Sequence, residues 1–440
     1  MHPEGIALTE RIYHMKTKRI FTLITALLLA IATLVSMTSC YELGDFQLGT
    51  DGDYVTRDEL QSILDNLKVG DNLNIDITTT AQSTTLAASR AMLSAVSVYS
   101  YFEQTSSSSL PGLGSTQEFS HAGSGVIYKL DKAKGDAYII TNYHVVFSGS
   151  SDTEDGISDN IEVYLYGQEF VEYKIDATYV GGAMNYDIAV LKVEGSDVLR
   201  ASSAMAAEFA DSNEVSVLET AVAVGNAEAL GISATAGYVN VDSEYITIGM
   251  TDKSGIERTV ELRVLRVDAP VNQGNSGGGI FNIKGELIGI VNARSSKTDA
   301  ENINYATPSN LAKALVENIL YYADKADVPC VYRCMLGITV ASAGSRVVYD
   351  TESGKIRIME NVTVTDLTAT SFAKGELQVG DVVKSITVDG VRTEITRMFM
   401  VIDSMLYARV GSTVEMEIVR GDKTLTKTFV IGESTLTAVK

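Results

Sequence analysis

Histidine is scarce in this chain, with four copies in 440 residues, and cysteine is scarcer, with three. No His-Glu-x-x-His run occurs, and the two cysteines outside the amino-terminal region make no metal site by themselves. The sequence therefore implies neither a metal nor a cofactor. Basic side chains also run short: 35 Lys and Arg against 56 Asp and Glu give a formal charge of −21. A polyanionic surface argues against nucleic acid as a partner and against electrostatic docking on anionic lipid.

Glycine is plentiful by contrast, and it crowds around one serine in Val271-Asn272-Gln273-Gly274-Asn275-Ser276-Gly277-Gly278-Gly279. Gly274 can take backbone dihedrals closed to other residues, so its N–H can point the same way as that of Ser276. Two converging amides beside a hydroxyl form an oxyanion hole next to a nucleophile. Taken alone, the run also reads as a plain glycine-rich turn. What decides is whether a base and an orienting acid exist elsewhere. His2 and His14 lie in or before a leader-like segment, and His121 sits in a polar, flexible-looking stretch. His144 closes the strand-like run from Ala137 to Val146. Asp187 heads the apolar run Ile188-Ala189-Val190-Leu191. An aspartate there is usually a turn residue, but in the order His, Asp, Ser it reads as the third member of a triad.

Gly123-Ser124-Gly125-Val126-Ile127, Thr141-Asn142-Tyr143-His144-Val145-Val146, Asp187-Ile188-Ala189-Val190-Leu191-Lys192 and Gly274-Asn275-Ser276-Gly277-Gly278 follow one another in the chain. Together they resemble the successive signatures of the HtrA/Deg family, over roughly residue 90 to the C-terminus. Val224-Gly225-Asn226, Lys284–Ile290 and Tyr305–Asn310 add to the match. The resemblance implies a mostly β chain: a trypsin-like double six-stranded β-barrel followed by one PDZ domain. His144 and Asp187 would stand in the first barrel and Ser276 in the second, with the site in the cleft between them. It further implies a serine endopeptidase acting on unfolded or misfolded proteins, C-terminal peptides bound at the PDZ domain, and a homo-trimer or larger assembly. The rival reading is a holdase or peptide-binding scaffold with little proteolysis.

Residues 1–39 read as a signal peptide whose true start is Met15: Lys16, Lys18 and Arg19 precede the apolar run Ile20–Val35. Its removal would leave 31 basic against 54 acidic side chains, a net −23. Met37-Thr38-Ser39-Cys40 resembles a bacterial lipobox, which makes Cys40 the lipidation site and places the protein outside the cytoplasm on a membrane. A retained signal anchor is the alternative. Residues 40–88 are expected to be a linker. A capping-box pattern at Thr56–Glu59 starts a short amphipathic helix with Leu60, Ile63, Leu64 and Leu67 on one face. That helix is either a spacer or a self-association contact, and residues 70–86 read as linker.

The protease domain is assigned to 89–326, with strands around Val96–Tyr99, Ile161–Tyr166, Glu172–Val180, Ile188–Val193, Ala221–Gly225, Tyr238–Val241, Arg263–Val267 and Glu286–Asn292, and a closing helix from Ser309 to about Tyr322. The Ser/Gly-rich stretch from Thr105 to Gly114 reads as a mobile surface loop. By resemblance, Ile290, Val291 and Asn292 wall the specificity pocket, and Pro270 and Val271 form its base. A carboxylate would select Lys or Arg there, so small to medium apolar side chains are expected instead. Asn275 replaces the aspartate of digestive proteases, which pairs with a newly cut amino terminus. Ordering of the site by a partner or ligand is thus expected rather than activation by cleavage. Gly279 stands where the family commonly has proline. Residues 330–434 are assigned to the PDZ domain, with Leu336-Gly337-Ile338 as its carboxylate-binding loop. Cys330 and Cys334, four apart, either share a helical face, close a small loop, or are ordinary thiols.

Overall fold

A computed structural model describes residues 80–439 apart from 107–114, 295–301, 327, 329, 352, 353 and 370. The signal segment, Cys40, the Leu60–Leu67 helix and most of the Ser/Gly-rich loop lie outside the described residues. Among the described residues no helix is long and apolar enough to cross a membrane.

Helix α1 (Thr80–Met92) leads into β1 (Ala95–Ser106), β2 (Ser115–Asp131), β3 (Asp136–Thr141), the one-turn helix α2 (Tyr143–Val146), β4 (Asn160–Leu165), β5 (Ile175–Ala183), β6 (Ile188–Val193) and the short helix α3 (Asp197–Ala201). Strands β1–β6 close into a barrel in the order β1-β2-β3-β6-β5-β4. Strands β7 (Thr220–Gly225), β8 (Ser233–Thr251), β9 (Glu257–Val267), β10 (Gly279–Phe281), β11 (Leu287–Arg294) and β12 (Asn304–Pro308) close a second in the order β10-β11-β12-β9-β8-β7. Apolar residues on alternate positions face inward, and closure leaves no exposed strand edge. The expected pair of six-stranded barrels is what the chain forms.

The barrels are packed together by apolar side chains. Val260, Leu262 and Val264 of β9 join the first barrel's core, alongside Ile139, Val145 and Met184. Helix α4 (Ser309–Tyr322) spans the residues expected of it and buries Leu311, Leu315 and Ile319 against Val190, Phe281 and Ile290. Three local readings differ from the structure: the strand expected over Glu172–Val180 begins only at Ile175, after a 3₁₀ turn at Val171–Tyr173, and two others concern helices. Helix α1 occupies part of the stretch read as linker and seats Ala87 and Ala91 in the same core as α4. The strand before His144 ends at Thr141, and the histidine stands on α2.

After α4 come β13 (Val331–Cys334), β14 (Ile338–Asp350), β15 (Lys355–Leu367), β16 (Val382–Val388), β17 (Val391–Glu394), α5 (Phe399–Met405), β18 (Thr413–Arg420), β19 (Lys423–Val430) and β20 (Leu436–Val439). They build a small β domain with its own core around Val364, Ile386, Met416 and Ile418, an architecture consistent with a PDZ domain. Cys330 and Cys334 are buried and form no disulfide. Cys334 ends an extended strand and Cys330 immediately precedes it, so neither the helical face nor the small loop forms.

Candidate active site

Thr141 ends β3 in the seam between barrels, and buried Asn142 follows it. The chain then makes the single turn α2, anchored by buried Val145 and Val146. Val145 can approach β2 because residue 123 is glycine: a Cβ there would lie 2.6 Å from Val145 Cγ2. His144 is thereby presented from a rigid support, its side chain 41% exposed toward the cleft.

Asp187 ends a 3₁₀ turn (Met184–Tyr186) in the left-handed region, φ 50° and ψ 44°, a conformation aspartate tolerates better than most residues. Its side chain is 1% exposed. His144 Nδ1 lies 3.0 Å and 2.9 Å from the two carboxylate oxygens, and the His144 amide donates to Oδ1 at 3.1 Å. Asn142 Nδ2 donates to the Asp187 carbonyl at 2.8 Å. Burial alone would lower the imidazole pKa, but the charge and hydrogen bond of Asp187 outweigh it, and the net shift is upward.

Ser276 stands on the turn after β9. Gly274 has φ +93° and Gly277 φ +84°, where a side chain would be strained. A Cβ on Gly274 would also meet Asn226 O at 2.2 Å. No acceptor among the described residues takes the amide N–H of Gly274 or Ser276, so both remain available for a developing oxyanion. The Ser276 hydroxyl donates to the Asn292 carbonyl at 3.3 Å, and no hydrogen bond to His144 is made. His144, Gly274 and Ser276 nonetheless line one cleft of about 700 Å³.

Asn292, expected in a pocket wall, bridges the site. Its Nδ2 reaches Asp187 Oδ2 at 3.4 Å, its carbonyl holds the serine, and Thr307 Oγ1 donates to its Oδ1 at 2.6 Å. Ile290 and Val291 are fully buried on opposite faces of β11, in two different cores. Val271 is buried with Val291, whereas Pro270 is exposed. The apolar lining of the cleft comes instead from Val145, Phe147, Ala229 and Met250. Where a proline was expected at Gly279, the Phe281 ring fills the space, 2.3 Å from where a Cβ would sit.

His121 was passed over because its surroundings are polar. It lies on β2, opposite Ser100, with Nδ1 3.2 Å from the His144 carbonyl, and it lines the cleft. Strand pairing across the hairpin was the missing information. In the C-terminal domain, Gly337 has φ +71°, and no described acceptor takes the amides of Leu336 or Gly337. They open a groove of about 410 Å³ between β14 and α5, which is also lined by Tyr245 and Glu261 of the second barrel.

Residues 123–290 match the family described as Trypsin-like peptidase domain. The Serine protease Do-like HtrA of Lactococcus lactis subsp. cremoris (strain MG1363) is 30% identical over 387 residues, 83% of this chain and 84% of that protein. The protein of the same name from Bacillus subtilis (strain 168) is 30% identical over 70% of this chain and 63% of its own length. The Periplasmic serine endoprotease DegP of Escherichia coli (strain K12) is 31% identical over 62% of this chain and 50% of its own.

Proposed function

The chain belongs to the HtrA family of trypsin-like serine proteases, and from that premise we propose that its endopeptidase site is His144, Asp187 and Ser276, with the amides of Gly274 and Ser276 as oxyanion hole. The observation that carries the assignment is the buried Asp187 carboxylate gripping His144 Nδ1 in the cleft that also holds Ser276. Ser276 Oγ attacks the scissile carbonyl while His144 Nε2 takes its proton, and Asp187 fixes the tautomer and stabilises the imidazolium. The tetrahedral oxyanion is held by the two free amides. Collapse sends the proton from His144 to the leaving amine, and water then releases the acyl group by the same route.

The substrates in this reading are unfolded or misfolded proteins outside the cytoplasm, which accords with the periplasmic relative. The protein is anchored through Cys40 and assembles as a trimer or larger. Cleavage follows small to medium apolar residues. What supports this preference is the apolar lining that Val145, Phe147, Ala229 and Met250 give the cleft. Residues 330–434 act as a PDZ domain whose Leu336, Gly337 and Ile338 capture the carboxylate of apolar C-terminal peptides. Incubation of wild type and Ser276→Ala with casein, with cleavage sites mapped by mass spectrometry, tests the reading. Wild type cuts after Val, Ala, Ile or Leu, graded rather than strict, since one methylene changes binding by only ~1–3 kcal/mol. Uncut casein would leave a holdase, and cuts confined to Lys and Arg would overturn the specificity.

A further inference from the structure

The turn that carries Ser276 is held at every carbonyl. Gln273 O accepts from Glu228 N at 2.7 Å, Gly274 O from Ser124 Oγ at 2.7 Å, Asn275 O from Gly278 N at 2.9 Å, and Ser276 O from Ser124 N at 2.8 Å. Three of these donors are backbone amides, which most substitutions leave in place. The fourth is a side chain. Asn275, at the position where an ion pair would order the turn in a protease activated by cleavage, leaves its buried Oδ1 without a partner.

We propose that Ser124 is the positioning residue that keeps this turn in its amide-forward conformation, in place of the ion pair that Asn275 cannot make. The proposal rests on the assignment of Ser276 and Gly274 given above. Ser124 is fully buried on β2 of the first barrel, and all its polar atoms are engaged. Its Oγ accepts from Asn226 N at 2.7 Å, which leaves its proton for Gly274 O. Its carbonyl accepts from Thr141 Oγ1 at 2.7 Å, one residue before the asparagine that holds Asp187. One serine thus refers the nucleophile turn of the second barrel to the strand end that leads to the His144–Asp187 pair. The seat is tight: a Cβ on Gly225 would lie 2.8 Å from Ser124 Oγ, and one on Gly277 2.2 Å from Ser124 O.

Without the hydroxyl, the Gly274 carbonyl and the Asn226 N–H would both be buried and unpaired, a state proteins avoid. Gly274, free of side-chain restraint, would rotate to relieve it; because the Gly274–Asn275 peptide links the two amides of the hole, its movement takes the Gly274 and Ser276 N–H groups out of mutual register. On this proposal part of the turn's order is built into the chain, and a partner or ligand would act on a turn already held by Ser124.

The test is steady-state kinetics of Ser124→Ala in the full chain on a small chromogenic peptide, with a peptide aldehyde as probe of the tetrahedral adduct. Loss of one oxyanion donor lowers kcat by about 100-fold, with KM within about threefold, because the hole acts on the transition state. Aldehyde affinity should fall in parallel, while a non-reactive peptide alcohol should bind as before. Ser124→Cys, with a weak S–H donor, should lie between the two. A Ser124→Ala enzyme within threefold of wild type in kcat, or a loss that follows only the folded fraction, would overturn the proposal. If Ser124→Ala does not fold, Thr141→Val, which frees the Ser124 carbonyl, should show a smaller split of the same kind, and unchanged kcat would refute it. Ser276→Ala is run alongside. An inactive Ser276→Ala beside a fully active Ser124→Ala defeats only the present inference, whereas an active Ser276→Ala defeats the site assignment itself.

Discussion

His144 must be neutral to take a proton, yet Asp187 stabilises its charged form and moves its pKa above the ordinary 6.5 despite burial. With the carboxylate present, kcat/KM should therefore fall as pH drops, with a midpoint above 6.5. Asp187→Asn removes the opposing charge, leaves the burial, and should shift the midpoint downward along with the rate. A pH–rate profile of both proteins checks the sign, and an unmoved midpoint would dissociate the pair. Ser276→Ala and His144→Ala should each cost roughly a millionfold in kcat and the double variant little more, because the triad acts as a unit. Circular dichroism should show all three folded. These residues were legible because their chemistry needs rare residue types in a fixed order, and only one histidine ended a strand-like run. Asn292 and Ser124 were not readable as bridging residues. Their roles lie in a backbone carbonyl and in contacts across the barrel seam, and neither leaves a periodic trace in the sequence.

Elements with a strong apolar period were legible, and α4 runs over the very residues expected, Ser309 to Tyr322. Helix α1 was missed because its sequence, Thr80–Met92, is mostly Thr, Ser and Ala and carries little apolar signal. What it contributes is smallness. Ala87 and Ala91 are about 1% and 0% exposed, and a Cβ on Gly285 would lie 3.2 Å from Arg90 Cβ, so helix and hairpin meet nearly backbone to backbone. Arg90 secures the contact through the Lys284 carbonyl at 3.2 Å and Glu208 at 3.1 Å. Ala91→Leu should overpack this seam and cost about 1–3 kcal/mol, read as a lower midpoint in urea with an unchanged slope. Arg90→Ala, whose ion pair is exposed, should cost well under that. Equal effects of the two would mean that the helix is held by its charge rather than by its fit.

At the scale of the molecule, the C-terminal domain is built into the protease. Val331 and Leu406 share a core with α4, and Asn318 of α4 bonds to Tyr332 O, Leu406 O and Tyr332 N at 2.9, 2.8 and 2.8 Å. Arg263 of β9, 6% exposed, pairs with Asp403 of α5 and lies 4.0 Å over the Phe399 ring. Asp403→Ala would strand that buried guanidinium and should cost about 3–5 kcal/mol in thermal or urea unfolding. The same contact gives the groove a route to the triad. Helix α5 forms one groove wall, Arg263 ties it to β9, and β9 residues Leu262 and Val264 pack with Met184, three residues before Asp187. A groove ligand changes activity only if it binds one arrangement of α5 better than another, since equal affinity shifts nothing. A peptide with an apolar C-terminal residue and a free carboxylate should therefore speed cleavage of a separate small substrate, and its amide-capped form should do so poorly. Truncation is a poor control, because removing β13 and Leu406 opens the core behind α4. Ile402→Glu is better: residue 402 lines the groove yet is 39% exposed, so the variant should fold while repelling the carboxylate. Wild-type stimulation in Ile402→Glu would mean that the peptide acts elsewhere, and stimulation by both peptide forms alike would mean that the Leu336–Gly337 amides do not read the carboxylate.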